Sequence, residues 1–482
     1  MNDASENSLS GGLISQTANS SRMLLWHSAG QSDMWVRIAC VLTFGYLALN
    51  RSFSYLGFPA WKIFIGEVSL ALLLLFGPMT RSGRWLWASV QLPQLREFRI
   101  WYGVFFMWGL IEVVHGIFAG QPLMTVLRDL AFNYYPLFFL LGLWAGIKRP
   151  ELLPRLLRAF AWFNGIYGIL FLLYFNRVEW LVSDASSEVA PVLFFAGPAY
   201  SFVALLGLLA YEKSLARSWY LFALNTFVML GMQFRTEWLA LVVGVVVWAY
   251  LAGHVKRVLQ TCAVFASLFA VLYFTNIRLP SPRGRAEEDF SARQSVDRAL
   301  APFRADVGSL EAAEGGGRTD PQEATFVFRT VWWFAIWNAV HADWKTTLWG
   351  FGYGFPLGDL VPYLEDHFIR TPHNIFFYAL GYTGWIGVIV FVLFQAAILR
   401  LLLRARHVSG DSFGVAYWIA VTVYGMFFPT GEAPYGAIPF YLILGCAAAP
   451  ALQAALAGPI RRSAYAASTS SVQPGEFERG SI

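Results

Sequence analysis

Long apolar runs separated by short polar connections dominate this chain. A helix crosses the hydrocarbon of a bilayer with about 20 apolar residues. Twelve stretches meet that pattern: 34–50, 60–79, 100–118, 124–147, 155–175, 190–211, 218–234, 236–253, 257–275, 374–399, 413–430 and 436–457. The run 218–253 holds two of them if the chain reverses around Gln233–Glu237. The pattern predicts an all-α polytopic membrane protein of about twelve transmembrane helices. Residues 1–33 form a polar N-terminal tail and 34–275 carry helices one to nine. A large loop, 276–373, precedes helix ten, helices ten to twelve occupy 374–457, and 458–482 form a C-terminal tail. The first apolar run is too long for the core of a cleaved signal peptide.

Basic residues orient these spans, because short cytoplasmic loops collect Lys and Arg. Alternate connections together with the C-terminal flank carry seventeen basic residues, clustered at 81–99, 148–158, 213–217, 256–257, 400–406 and 461–462. The opposite short connections carry four: Arg51, Lys62, Arg177 and Arg235. Both termini are therefore expected in the cytoplasm, with Arg235 at the outer surface. The loop 276–373 then faces outward. Its first half, 276–323, is polar. Its second half, 324–349, holds Phe326, Phe328, Trp332, Trp333, Ile336, Trp337 and Val340, interrupted by Arg329, His341 and Asp343. This reads as a helix lying at the interface or tucked against the bundle.

Composition narrows the class. Hydrophobic residues make up 57% of the 482 positions and charged residues 13%, against about 25% charged in an average soluble protein. That balance argues against a soluble multi-domain enzyme, a disordered chain and a nucleic-acid binder. The 20 Trp, 21 Tyr and 42 Phe suit interfacial belts and lipid-facing helices. Cys40, Cys262 and Cys446 all lie in apolar runs, which suggests neither a disulfide framework nor a metal cluster.

Few outward-facing residues could do chemistry. His373, where the loop meets span ten, can exchange a proton or hydrogen-bond a phosphate oxygen; with Asn374 it can equally cap the helix. Arg235 sits between two apolar spans, where a guanidinium binds an anion bidentately or pairs with Glu237. Arg329 could hold the same anion or only contact lipid headgroups. Arg128-Asp129 reads as an internal ion pair. Glu112 and His115 read as a proton relay or a satisfied polar pair. Gly350, Gly352, Gly354 and Gly358 could bring backbone amides to a phosphate or simply turn the chain. No Walker loop, dinucleotide fingerprint, paired-Cys or HExxH spacing is present, and Glu365-Asp366-His367 are consecutive and point apart.

In order along the chain, three strings carry a resemblance: Arg329-Thr-Val-Trp-Trp-Phe-Ala-Ile-Trp, then Leu348-Trp-Gly-Phe-Gly-Tyr-Gly, then Thr371-Pro-His-Asn-Ile-Phe-Phe-Tyr-Ala-Leu-Gly-Tyr-Thr-Gly-Trp-Ile-Gly. Together with one large outer loop before span ten, they resemble the O-antigen ligase and Wzy polymerase superfamily of bacterial membrane glycosyltransferases. The resemblance implies an inner-membrane enzyme with its active site at the periplasmic face. The implied donor is an undecaprenyl-diphosphate-linked glycan, and the implied acceptor another glycan or lipid A–core. It implies inverting transfer without metal or cofactor. Arg235 and Arg329 would hold the diphosphate, and His373 would activate or orient the acceptor hydroxyl. Gly350, Gly352, Gly354 and Asn374 would support the site. A transporter would instead show inverted repeats and charged midplane residues, and no matching halves are visible. A non-catalytic scaffold of a polysaccharide export system leaves the outward Arg and His residues without a role.

Overall fold

The computed structural model describes residues 33–58, 63–175, 197–212, 214, 217–276, 278–280, 289–291, 293, 321–361 and 371–456. The described residues fold as a helical bundle, and helices overlap the described parts of the predicted apolar stretches. Six helices are long and apolar enough to cross a membrane: Pro93–Phe118, Leu123–Lys148, Leu152–Leu173, Arg235–Ala252, Ile375–Ser409 and Pro434–Leu456. The first and fourth of these leave most of their apolar surface uncovered, whereas Leu123–Lys148 and Pro434–Leu456 are largely enclosed by other helices.

The helices used below are α1 (Met34–Ser54), α2 (Ile65–Phe76), α3 (Arg81–Val90), α4 (Arg96–Phe118), α5 (Leu123–Asp129), α6 (Ala131–Tyr134), α7 (Phe138–Lys148), α8 (Leu152–Leu173), α9 (Ser201–Tyr211), α10 (Trp219–Met232), α11 (Arg235–Ala252), α12 (Val255–Thr275), α13 (Pro321–His341), α14 (Trp344–Trp349), α15 (Ile375–Ser409), α16 (Phe413–Gly425) and α17 (Pro434–Leu456). Two short antiparallel ribbons pair Gly57–Phe58 with Ile63–Phe64 and Arg278–Pro280 with Asp289–Ser291.

Several elements depart from the sequence pattern. The stretch 60–79 starts its helix only at Ile65, after the first ribbon. The single span expected over 124–147 is broken into α5, α6, a 3-10 turn and α7. Pro136 lies in that turn, and proline has no N–H for a continuous helical ladder. Within the described part of span 190–211, residues 197–211, the helix is only the eleven residues of α9. The basic connection after Met79 contains a helix, α3, that the apolar pattern does not reveal, because it is short and charged; Thr80 caps it by accepting from the Gly83 amide.

The centre of the bundle is α17 against α7, with α1 and α15 around them. Small residues allow this approach. A Cβ on Gly142 would overlap the Leu442 carbonyl, and one on Gly445 would overlap the Phe139 carbonyl. Close backbone contact of this kind replaces the hydrophobic driving force that lipid does not supply.

The two ends of the bundle differ in charge. At one end, Asp33 caps α1 and accepts from Trp144 Nε1 at 2.8 Å. Arg400 and Arg404 reach Glu97 at 3.4 and 3.3 Å, Arg406 donates to the Leu251 carbonyl at 2.7 Å, and Arg158 reaches Glu212 at 3.2 Å. The described basic clusters at 96–99, 148–158 and 400–406 thus share this basic end. α11 and α15 run parallel, since Leu251 and Arg406 meet there. Their first residues, Arg235 and Ile375, accordingly lie toward the opposite end, Ile375 two residues after His373.

α13 is tucked against the bundle. Trp332, Ile336 and Val340, spaced by one helical turn, are fully buried, while Phe334 faces out. The Trp332 indole donates to the Leu357 carbonyl at 2.8 Å.

The most constrained position is in α15. Gly384 has φ 60° and ψ −170°, and the helix kinks there. The glycine loop closes over the break: Phe351 N–H donates to the Gly381 carbonyl at 2.9 Å and Gly352 N–H to the Tyr382 carbonyl at 3.0 Å. Only glycine holds such a conformation without strain of about 1–3 kcal/mol. A Cβ at Gly384 would also overlap the Leu348 carbonyl. Gly384→Ala is therefore expected to lower the melting temperature of the detergent-purified protein clearly, whereas Gly410→Ala, at an open helix end, should cost less. Equal melting shifts for the two variants would contradict this account of the kink.

Candidate functional site

The end opposite the basic clusters gathers the loops before α15 and between α16 and α17, together with the last turn of α1. His373 stands at their junction. Its backbone has φ 51°, a left-handed conformation uncommon outside glycine. Both neighbours hold it there. The Trp333 indole donates to the Pro372 carbonyl at 2.8 Å, and Asn374 Oδ1 caps α15 by accepting from the Phe376 and Phe377 amides at 2.9 and 3.2 Å. Asn374 is thus a helix cap, one of the two roles its sequence position allows. His373 is not part of that cap, and its Nδ1 is buried without a hydrogen-bond partner.

Arg329 enters from α13, and its Nη1 donates to the Phe427 carbonyl at 3.2 Å. Trp333, one turn further on, stacks on Phe377 with ring centroids 5.6 Å apart. Arg51 comes from the last turn of α1, where Nε and Nη2 both donate to the Tyr55 hydroxyl at 3.3 and 3.1 Å. Burial and then the Arg329 and Arg51 charges push the His373 imidazole down to about 4. His373 is therefore neutral at pH 7, with one ring nitrogen able to accept and one to donate.

Arg235 begins α11 at this same end. Two residues on, Glu237 is buried and accepts from the Ser201 amide at 3.0 Å. A chain of hydrogen bonds ties this corner to the rest: Tyr424 donates to the Ala199 carbonyl at 2.9 Å, and Tyr200 to the Tyr435 carbonyl at 2.5 Å. The charges acting most strongly on His373 are those of Arg329 and Arg51, while Arg235 reaches this end from a different helix.

The glycine loop does not offer its amides to a ligand. Gly350 N–H donates to Thr346, Phe351 to Gly381, Gly352 to Tyr382, Tyr353 to the Glu112 carbonyl and Gly354 to Asp129 Oδ2. Gly350, Gly352 and Gly354 are there to pack: a Cβ would crowd the backbone of Tyr382–Gly384, the His115 ring and Gln121, respectively. Of the two roles left open by the sequence, bringing amides to a phosphate or turning the chain, these bonds fit the second. The loop closes over the kink in α15.

Glu112 and His115 form a polar pair at 3.0 Å, with Glu112 fully buried. The Tyr353 hydroxyl hydrogen-bonds Asn133 nearby. Asp129 is buried beside this network, and the adjacent Arg128 is exposed. Glu365, Asp366, His367 and Arg370 lie outside the described residues. Among the described residues, no group of three or more His, Cys, Asp or Glu side chains is gathered as a metal site would require.

Two charged residues of this end escape the sequence reading. Arg51 enters that reading only as a unit of loop charge. Glu432 lies in the short loop between α16 and α17. Burial, with the Asp129 carboxylate adding to it, pushes Glu432 up to about 7. The signal for both is the same: a lone charge where an apolar span ends.

No family model matches this sequence, and no curated protein is detectably similar to it.

The depressed His373 value has a consequence for stability. Between pH 6.5 and 4 the unfolded imidazole takes up a proton that the folded one refuses. The folded state therefore loses stability as pH falls through that window. Replacing His373 by Gln should flatten the decline in melting temperature between pH 6.5 and 4 relative to the wild type. Parallel curves would mean that His373 is protonated normally in the folded protein.

Proposed function

We propose that this chain is an inner-membrane glycosyltransferase. It moves a glycan from an undecaprenyl-diphosphate carrier to a sugar hydroxyl, as a polysaccharide (O-antigen or exopolysaccharide) polymerase or an O-antigen ligase. In this reading the chain crosses the membrane twelve times with both termini cytoplasmic, and the His373 end faces the periplasm. The basic end then lies where cytoplasmic loops collect Lys and Arg.

The observation that carries the reading is the meeting of Arg329, Arg51 and an unpartnered, neutral His373 at the end opposite the basic clusters. A diphosphate leaving group develops charge as its bond to the sugar breaks. Fixed guanidinium groups in a site shielded from water stabilise that charge strongly. Arginine presents several donors in a planar fork, which suits phosphate oxygens. Arg329 and Arg51 bind the diphosphate from two sides, and Arg235 holds it or its first sugar from α11. His373, uncharged between two cations, hydrogen-bonds the ligand and orients the reacting groups. The aromatic wall of Trp333 and Phe377 offers a face on which a sugar ring packs. The transfer is inverting and needs no metal on this reading, and the exposed apolar faces of α4 and α11 meet membrane lipid, from which the carrier enters.

The test is complementation of a strain lacking this gene, with membrane levels checked and surface and lipid-linked glycans separated on gels. Arg329→Ala, Arg235→Ala and His373→Ala should each reach the membrane and accumulate lipid-linked donor. Each should lose product by about 10²-fold or more, the scale for removing one charge-stabilising donor. The product band of the wild type, capped core or long polymer, assigns ligase or polymerase. Normal glycan from all three variants would overturn the reading and favour a transporter or scaffold.

A further inference from the structure

We propose that Glu432, rather than His373, takes the proton from the acceptor hydroxyl, and that His373 serves on the diphosphate side of the transfer. This rests on the glycosyltransferase reading above.

The loop that carries Glu432 is fixed. A Cβ on Gly436 would press on Thr430 and the Pro429 carbonyl, and one on Gly431 would press on Ile375 and Phe132. Arg329 binds the loop at the Phe427 carbonyl. The carboxylate is thus set on the same short segment that anchors a diphosphate-binding arginine. Glu432 Oε2 accepts from the Gly431 amide at 3.1 Å, whereas Oε1 is buried with no hydrogen-bond partner. The residue as a whole is half-buried.

The surroundings tune this acid for proton transfer. Asp129 on α5 faces it, and Tyr378 on α15 and Tyr435 on α17 lie within electrostatic reach. Arg51 and Arg128 act on the same Tyr435 from α1 and α5. One carboxylate beside another, away from bulk water, resists ionisation. A base is most effective when its pKa lies near the working pH, and Glu432 is pushed up to about 7. His373 is in the opposite situation. Burial, and then two guanidinium charges, suppress its basicity, which suits a neutral hydrogen-bond partner for phosphate and not a proton acceptor.

The step balances as follows. The acceptor oxygen attacks the anomeric carbon, and a new C–O bond forms. The bond from that carbon to the diphosphate oxygen breaks, and its electron pair leaves with undecaprenyl diphosphate, held by Arg329, Arg51 and His373. The hydroxyl proton moves to Glu432, which becomes a neutral carboxylic acid. Base and leaving group act on opposite faces of the sugar, as inversion demands.

The test uses the full-length protein in nanodiscs and the complemented strain. Farnesyl diphosphate serves as the binding probe, and the lipid-linked glycan that accumulates in variant cells, once extracted, serves as donor. E432Q keeps the shape of the protonated acid, so it should fold and bind farnesyl diphosphate within about threefold of wild type. Its transfer rate should fall about 10²–10⁴-fold, the range for loss of a general base. Glu432→Asp should recover part of the rate. The wild-type rate should fall on the acid side of about pH 7, and Glu432→Asp should move that limb.

Full activity of E432Q, while Arg329→Ala is inactive, would overturn the base assignment and leave the transferase standing. Loss of farnesyl diphosphate binding or of melting temperature in E432Q would make Glu432 structural and overturn it as well. Should E432Q fail to reach the membrane, an acid limb that does not move in Glu432→Asp overturns the assignment. Absence of diphosphate binding by the wild type, with normal glycans from Arg329→Ala, would instead sink the transferase reading itself.

Discussion

A helix that breaks inside an apolar bundle leaves carbonyls that must find donors. In α15 the break is at Gly384, and Gly381 and Tyr382 are left facing the interior. Unpaired backbone groups at such depth cost several kcal/mol each, so another segment has to supply N–H groups. The loop after α14 does so with Phe351 and Gly352. Once fixed, that loop passes over α4, where Tyr353 meets the Glu112 carbonyl, and reaches α5, where Gly354 meets Asp129. One kink thereby ties α15, α4 and α5 together, and it sets the platform on which the start of α15, with His373, is held.

The same logic explains how a few charges survive at this end. Each is held by a specific partner. Arg329 has the Phe427 carbonyl, Arg51 has the Tyr55 hydroxyl, Glu237 has the Ser201 amide and Glu67 has the Tyr135 hydroxyl at 2.7 Å. At the basic end the partners are carboxylates and carbonyls around Glu97, Glu212 and Leu251. The Glu97 pairs are exposed and contribute little energy individually. Their value is topological, because they keep the ends of long helices in register.

Much of this was legible in the sequence, for reasons that differ from residue to residue. Apolar runs locate helices because a bilayer-length run has few alternatives. Asn374 reads as a cap because capping chemistry is local. Arg329 and His373 stand out in the sequence as lone polar groups beside aromatic runs, and they lie within electrostatic reach of each other. What the glycines do was not legible. The destination of their amides depends on a kink in a later helix, and no local spacing encodes it. Arg51 and Glu432 were hidden for a related reason. Each is a lone charge at the end of an apolar span, and only the meeting of α1, α5, α15 and α17 gives it neighbours. The helix α3 was missed because a short, basic, capped segment carries no apolar run.

On the proposed reading, the charge balance at the His373 end changes when a diphosphate arrives. Burial first, and then the Arg329 and Arg51 charges, keep His373 neutral. A diphosphate between the two arginines offsets their charges, while burial continues to hold the imidazole neutral as a hydrogen-bond partner. At Glu432 the added negative charge disfavours the ionised form, unless the sugars of the ligand hold the diphosphate away from the α16–α17 loop. Distance therefore matters more than local tuning. On the proposed reading, an acid that must stay ionised to accept a proton is best placed across the sugar ring from the diphosphate.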